Sequence, residues 1–101
     1  MDFYCESVFS GKVQVEKVLE TENVLAFYHT KPAWTTHVVI VPKAHVLDFV
    51  EVDSGTLAEI MDVTKQSIKK LDLKDYKIVT NGGSFQDSKH LHFHLLSGEK
   101  K

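Results

Sequence analysis

Hydrophobic positions in this 101-residue chain repeat with a period near two before and after a single stretch of helical period. Val13-Gln-Val-Glu-Lys-Val-Leu alternates loosely, and Val24-Leu-Ala-Phe-Tyr follows after a Thr-Glu-Asn turn; together they predict an antiparallel hairpin. Residues 36–42 are dense enough in β-branched side chains for a central strand, which Pro42 ends because it cannot donate to a ladder. Asp53-Ser54 supplies a helix N-cap with Glu59 in the early turns, and Leu57, Ile60, Met61, Thr64, Ile68 and Leu71 then keep helical spacing. Residues 76–80 and 89–96 read as two further strands, separated by a polar loop that opens with Asn81-Gly82-Gly83. At the other end, residues 3–10 predict a short helix stopping at Gly11, with Phe3, Val8 and Phe9 available for packing. Strands grouped on both sides of one helix give an α+β fold. The expected architecture is a five-stranded, mainly antiparallel sheet with helices packed on one face, in a single domain over residues 1–101.

The last strand is the unusual one. It contains His90-Leu91-His92-Phe93-His94, and in an extended chain this sets three imidazoles on one face and Leu91, Phe93 and Leu95 on the other. Half of the six histidines fall in this run. A solvated strand face usually mixes polar residue types, and protonated neighbours repel, so a purely structural role explains the run poorly. Imidazole titrates near neutrality and can donate a proton, attack as a nucleophile or bind a metal.

Bulk composition narrows those choices. The net charge of −2 gives no electrostatic case for nucleic acid or an anionic membrane. No stretch approaches the roughly 20 apolar residues that span a bilayer, and the N-terminus lacks the features of a signal peptide. A single cysteine, Cys5, excludes an internal disulfide and fits a reducing, cytoplasmic setting. All twelve basic residues are lysine, so no guanidinium clamp exists for a phosphate. Anion recognition falls to histidines, lysines and backbone N–H groups.

Two chemistries remain for the triplet. His-x-His on a strand can supply two zinc ligands, with a third from elsewhere. Same-face residues stand roughly 6.5–7 Å apart, so His90 and His94 are about 13 Å apart along the strand and share one ion only by leaning sharply inward. His92 with one neighbour and His37 or His45 could still do so. The alternative is a histidine nucleophile, its far N–H held by a carbonyl, with neighbouring rings donating to phosphate oxygens. Backbone N–H groups of the Asn81-Gly82-Gly83 loop could serve the same phosphate.

The run His90-Leu-His-Phe-His-Leu-Leu96 resembles the histidine-triad motif of the HIT nucleotide hydrolases and transferases. Cys5-Glu-Ser-Val-Phe-Ser-Gly11, Asn23-Val-Leu-Ala-Phe27, Pro32, Thr36-His-Val-Val-Ile-Val-Pro-Lys-Ala-His45 and Val79-Thr-Asn-Gly-Gly83 follow in family order. The layout is most similar to the Hint branch. The resemblance implies a HIT-like fold, a homodimer with a sheet continuous across subunits, and a purine nucleotide-type small-molecule substrate. It implies hydrolysis or transfer at the α-phosphate of nucleoside monophosphate derivatives such as phosphoramidates and adenylylated amines. Hydrolysis of dinucleoside polyphosphates, or a non-catalytic nucleotide- or partner-binding module, are the alternatives.

By the same resemblance, His92 is the nucleophile and forms a nucleotidyl-histidine. His94 hydrogen-bonds the α-phosphate, His90 supports His92 partly through its carbonyl, and His37 is the fourth family histidine. Asn81 and Gln86 would contact phosphate; Tyr4, Val8 and Phe27 match positions lining the base pocket. His45 matches a family histidine whose role here is structural or catalytic. No cofactor or catalytic metal is implied.

Several positions depart from the family pattern. His29 stands where an aspartate usually grips the ribose hydroxyls, and Asp87 where a serine often helps the leaving group. A carboxylate at 87 would repel the substrate phosphate or select a cationic leaving group. Asp2 replaces the first cysteine of a zinc-binding pair found in some relatives, which argues against a structural zinc using Cys5. The loop before His90 is about two residues short, and the longer C-terminal segment of some members is missing.

Overall fold

Strands that are apolar on both faces need cover on both sides of their sheet, and the chain provides two different covers. The computed structural model describes residues 4–101, the Glu6 side chain excepted. Its strands are β1 (Lys17–Glu20), β2 (Val24–Tyr28), β3 (Trp34–Pro42), β4 (Lys77–Thr80) and β5 (Phe93–Lys100), with helix α1 (Ser54–Lys70) between β3 and β4. They form one sheet in the order β1-β2-β3-β5-β4, and every pairing is antiparallel.

On one face, Val24, Ala26, Val38, Ile40, Leu91, Phe93 and Leu95 pack with Ile60 and Val63 of α1. The opposite face carries Leu25, Phe27, Val39 and Val41 under Tyr4 and Val8. The expectation of helices on one face is therefore corrected: the N-terminal segment covers the side that α1 leaves open. That segment is a single π-helical turn, Tyr4–Val8, closed by the Phe9 amide on the Tyr4 carbonyl at 2.8 Å, rather than a helix over residues 3–10. The wide turn sets both Tyr4 and Val8 onto the sheet. Gly11, at φ 84°, then reverses the chain, and the Val13 amide returns to the Ser7 carbonyl at 3.0 Å. Phe3, expected to help pack this end, lies outside the described residues.

Helix α1 starts as its sequence predicts. The Asp53 side chain accepts from the Thr56 amide at 3.1 Å. Glu59 on α1 accepts from the Thr21 hydroxyl at 2.5 Å and from the Asn23 amide at 3.0 Å, fastening the β1–β2 turn to the helix.

The strand limits differ from expectation, and each shift has a structural cause. β1 begins at Lys17 instead of Val13, because the chain before it is drawn toward the π-helical turn. The last strand enters the ladder at Phe93, not at residue 89, and runs on to Lys100. Its extension passes an irregularity between Trp34 and Thr36 of β3 and depends on Gly98. A Cβ at Gly98, where φ is 81°, would stand 2.7 Å from the Thr35 Cβ, a separation that side chains do not tolerate. His90 and His92 thus precede the ladder, on a segment held by the Leu91 amide to the Val46 carbonyl at 2.7 Å. The alternation expected of a strand persists there: Leu91 and Phe93 enter the helix-side core, and the histidines take the other face.

Candidate active site

The three histidines of the run have separate fates. His90 is completely buried. Its Nε2–H donates to the Pro42 carbonyl at 2.8 Å, so the residue that stops β3 from donating still provides an acceptor. On the other side of the ring, Nδ1 lies 3.5 Å from the Cys5 Sγ. The His90 ring also lies against Tyr4 and His45, with centroids 5.5 and 5.2 Å away. His92 donates its Nδ1–H to the His90 carbonyl at 2.7 Å. That bond fixes the tautomer and puts the basic lone pair on Nε2. The His92 carbonyl accepts from the Thr80 hydroxyl at 2.8 Å, which ties the segment to β4.

A second set of hydrogen bonds fixes the remaining rings. The Ala33 amide donates to His37 Nδ1 at 3.0 Å, leaving Nε2 as the protonated nitrogen of the neutral ring. His37 Nε2–H can then only donate to His94 Nδ1, 2.8 Å away. His94 in turn carries its proton on Nε2. His29 follows the same logic: its Nδ1 accepts from the Lys31 amide at 2.9 Å, so a neutral ring holds N–H at Nε2. These rings crowd together, with centroids 4.4 Å apart for His29 and His37 and 5.0 Å for both His37–His94 and His92–His94.

Burial, and after it the proximity of other rings, disfavours protonation of His29, His37 and His94. Burial, then the proximity of His29, pushes His37 down to about 4. Burial also pushes His94 down to about 4, helped by His92, His37 and His29 and opposed by the Asp87 carboxylate. His29 is lowered as well, chiefly by burial. At neutral pH His29, His37 and His94 therefore offer N–H donors without a fixed positive charge.

A pocket of about 260 Å³ opens beside these rings, lined by Tyr4, Phe27, His29, Thr30, Val39, Asp87, Ser88, His92 and His94. The structure thus gathers six of the residues singled out in the sequence: Tyr4, Phe27, His29, Asp87, His92 and His94. His90 and His37 stand behind His92 and His94 and act on the pocket through them. Three expected substrate contacts are absent from its lining. Gln86 is buried and its Nε2–H donates to the Leu47 carbonyl at 2.6 Å, so it holds the loop. Asn81 is half-buried away from the pocket. Val8 packs on the sheet and borders a different cavity, beside Phe9 and Leu25. Thr30, Val39 and Ser88 were missed, although Val39 shares the strand parity of His37, and Thr30 and Ser88 adjoin His29 and Asp87.

One group of possible metal donors exists among the described residues. Ligand atoms of Cys5, His45 and His90 all lie within 4.8 Å of one another. A thiol with two imidazoles suits zinc, and the Pro42 carbonyl on the far nitrogen of His90 is the kind of outer contact that orients a ligating histidine. Asp2, the residue that argued against zinc here, lies outside the described residues. The group sits behind His92, and such an ion would brace the backbone that presents the ring.

Known proteins resemble this chain along nearly its whole length. The family model described as "HIT domain" matches residues 10–101. An uncharacterized HIT-like protein of Helicobacter pylori is 34% identical over 99 residues, covering 94% of this chain and 95% of its own. The adenosine 5'-monophosphoramidase of Schizosaccharomyces pombe is 28% identical over 95 residues, covering 92% and 71% respectively. Among solved structures, a HIT family hydrolase from Legionella pneumophila superposes with a TM-score of 0.84 at 32% identity, over 96% of this chain and 92% of its own.

Proposed function

The chain belongs to the HIT family, and we propose that it is a nucleotide hydrolase that cleaves nucleoside phosphoramidates through a nucleotidyl-His92 intermediate. The observation that carries this reading is the His92 Nδ1–H bond to the His90 carbonyl, which places a lone pair on Nε2 of a ring lining the pocket. Family membership and the relatives named as monophosphoramidases support nucleotide hydrolysis in general terms.

In the first displacement, His92 Nε2 attacks the α-phosphorus and the P–N bond breaks, its electron pair going to nitrogen. The departing nitrogen takes one proton from solvent and leaves as an amine. Water then attacks phosphorus, gives up a proton, and returns the electron pair of the P–N bond to His92. His94 Nε2–H donates to a non-bridging oxygen throughout, kept in that sense by His37. Tyr4, Phe27 and Val39 form the apolar wall for a purine base, and His29 offers its N–H where the ribose would lie.

A homodimer is part of the same proposal. β4 is an edge strand with Ile78 exposed and Tyr76 exposed just before it, and pairing of two such edges would continue the sheet. Among the described residues no helix is long and apolar enough to cross a membrane.

The decisive test is a panel of nucleoside phosphoramidates and dinucleoside polyphosphates, with mass spectrometry of the quenched enzyme. The expected result is turnover of phosphoramidates and a nucleotidyl adduct on the peptide containing His92. Turnover of polyphosphates alone would replace the substrate assignment. Tight nucleoside monophosphate binding without turnover would make the protein a binding module.

A further inference from the structure

Residues on three strands line up across the sheet: Phe27 on β2 pairs with Val39 on β3, and Val39 pairs with His94 on β5. The next position in that row is Val79 on β4, and the loop from β4 to β5 brings Asp87 and Ser88 to the pocket wall. The pocket therefore runs from an apolar end over β2 and β3, past the imidazoles, to a carboxylate and a hydroxyl. With a base on the apolar wall and the phosphorus at His92 and His94, the group that leaves phosphorus emerges against Asp87 and Ser88.

Two properties of that end select its occupant. Among the described residues that line the pocket, Asp87 is the only one of fixed charge; no lysine contributes, and burial disfavours protonation of His29 and His94. A polyphosphate leaving group would meet a carboxylate with no cation to offset it, whereas an ammonium would find its counter-ion. Ser88 Oγ is buried and has no hydrogen-bond partner among the described residues. A buried hydroxyl is costly in that state and gains from a ligand that supplies a partner.

We propose that Asp87 and Ser88 form a leaving-group subsite that selects amines bearing a second, protonated nitrogen. This rests on the phosphoramidase reading and assigns its substrate class: a nucleoside monophosphate joined through P–N to a diamine-like group. The Asp87 carboxylate pairs with the distant ammonium, and Ser88 Oγ hydrogen-bonds the nitrogen attached to phosphorus. The bond changes are those given above; the distal ammonium keeps its proton throughout, and the nitrogen released from phosphorus gains one.

The test compares three nucleoside phosphoramidates of matched length, whose leaving amines are diaminobutane, pentylamine and aminopentanoate. For the unmodified protein, kcat/KM is expected to fall in that order, with roughly a fivefold advantage of the cationic over the neutral amine, as befits an exposed ion pair. In Asp87→Asn that ratio falls to about one, whatever the absolute rates, and added salt reduces it in the unmodified protein. Ser88→Ala lowers kcat/KM for all three substrates alike. Equal turnover of the three, or a cationic preference that survives in Asp87→Asn, overturns the subsite and leaves the hydrolase reading standing. No turnover of any of them overturns both.

Discussion

Leu91 and His92 are neighbours in the chain and both are buried, yet they belong to opposite sides of the sheet and answer to different physics. Leu91, Phe93 and Leu95 face α1, where the only requirement is to exclude water and fill volume. His92 and His94 face the other way, where every ring nitrogen assigned above has a defined donor or acceptor role. On the helix side, identity can drift among apolar residues of similar size. On the imidazole side, a change of one atom reverses a hydrogen bond. One short segment is thus written twice, once for stability and once for chemistry.

Mutations chosen from the two sides should separate these roles. The largest effect is expected for His92→Ala, with kcat/KM for a phosphoramidate falling at least about a thousandfold while thermal unfolding stays cooperative. Substantial residual turnover would remove His92 from the nucleophile's role. Leu95→Ala, on the helix side, should cost about 2–5 kcal/mol in denaturant unfolding. Near-normal kcat/KM below its unfolding transition would then show that the two faces are separable, and a loss as deep as that of His92→Ala would show they are not.

A smaller effect is expected for His37→Ala, which takes away the donor to His94 Nδ1; kcat/KM should fall about tenfold with little change in unfolding. His37→Gln retains a donor and an acceptor and should restore part of the loss. If both variants behave alike, the hydrogen-bond sense is immaterial and only ring packing counts. The smallest effect is the pH response of folding. His37 and His94 stay neutral in the folded protein to about pH 4, while in the unfolded chain they take up protons near the ordinary value of 6.5. The unfolded state therefore binds more protons between those limits, so stability is full above about pH 6.5 and declines as pH falls toward 4. Urea midpoints should be lower at pH 5 than at pH 7, and His37→Gln should narrow the gap; an unchanged gap would place the acid sensitivity elsewhere.

Much of this arrangement is legible in the residues. The alternation through His90–His94, the capped helix and the existence and order of the apolar strands depend on neighbours close in sequence, and these are found as periodicity predicts, although the strand limits shift. What escaped depends on partners far away in the chain. The acceptor for His90 is the carbonyl of Pro42, and the side-chain amide of Gln86 donates to the carbonyl of Leu47. No local pattern specifies either bond. The end of β5 was missed because Leu96 closes the hydrophobic run, whereas the strand continues only by fitting Gly98 against Thr35. The N-terminal turn was misjudged in the same way: its geometry follows the sheet face that Tyr4 and Val8 cover.

The bond from the Ala33 amide has a consequence beyond the two rings it joins. A backbone amide cannot exchange the roles of donor and acceptor, so the sequence Ala33 to His37 to His94 has a direction as well as a length. Rows of histidines alone are reversible; each ring can hand its proton to the opposite nitrogen and invert the row. Here an immovable first member forbids the inversion while both rings are neutral. The sign of the hydrogen bond offered to an incoming oxyanion is decided before any ligand arrives. Nitrogen-15 shifts of the resting protein, which distinguish protonated from bare ring nitrogens, would display it as a pattern already written.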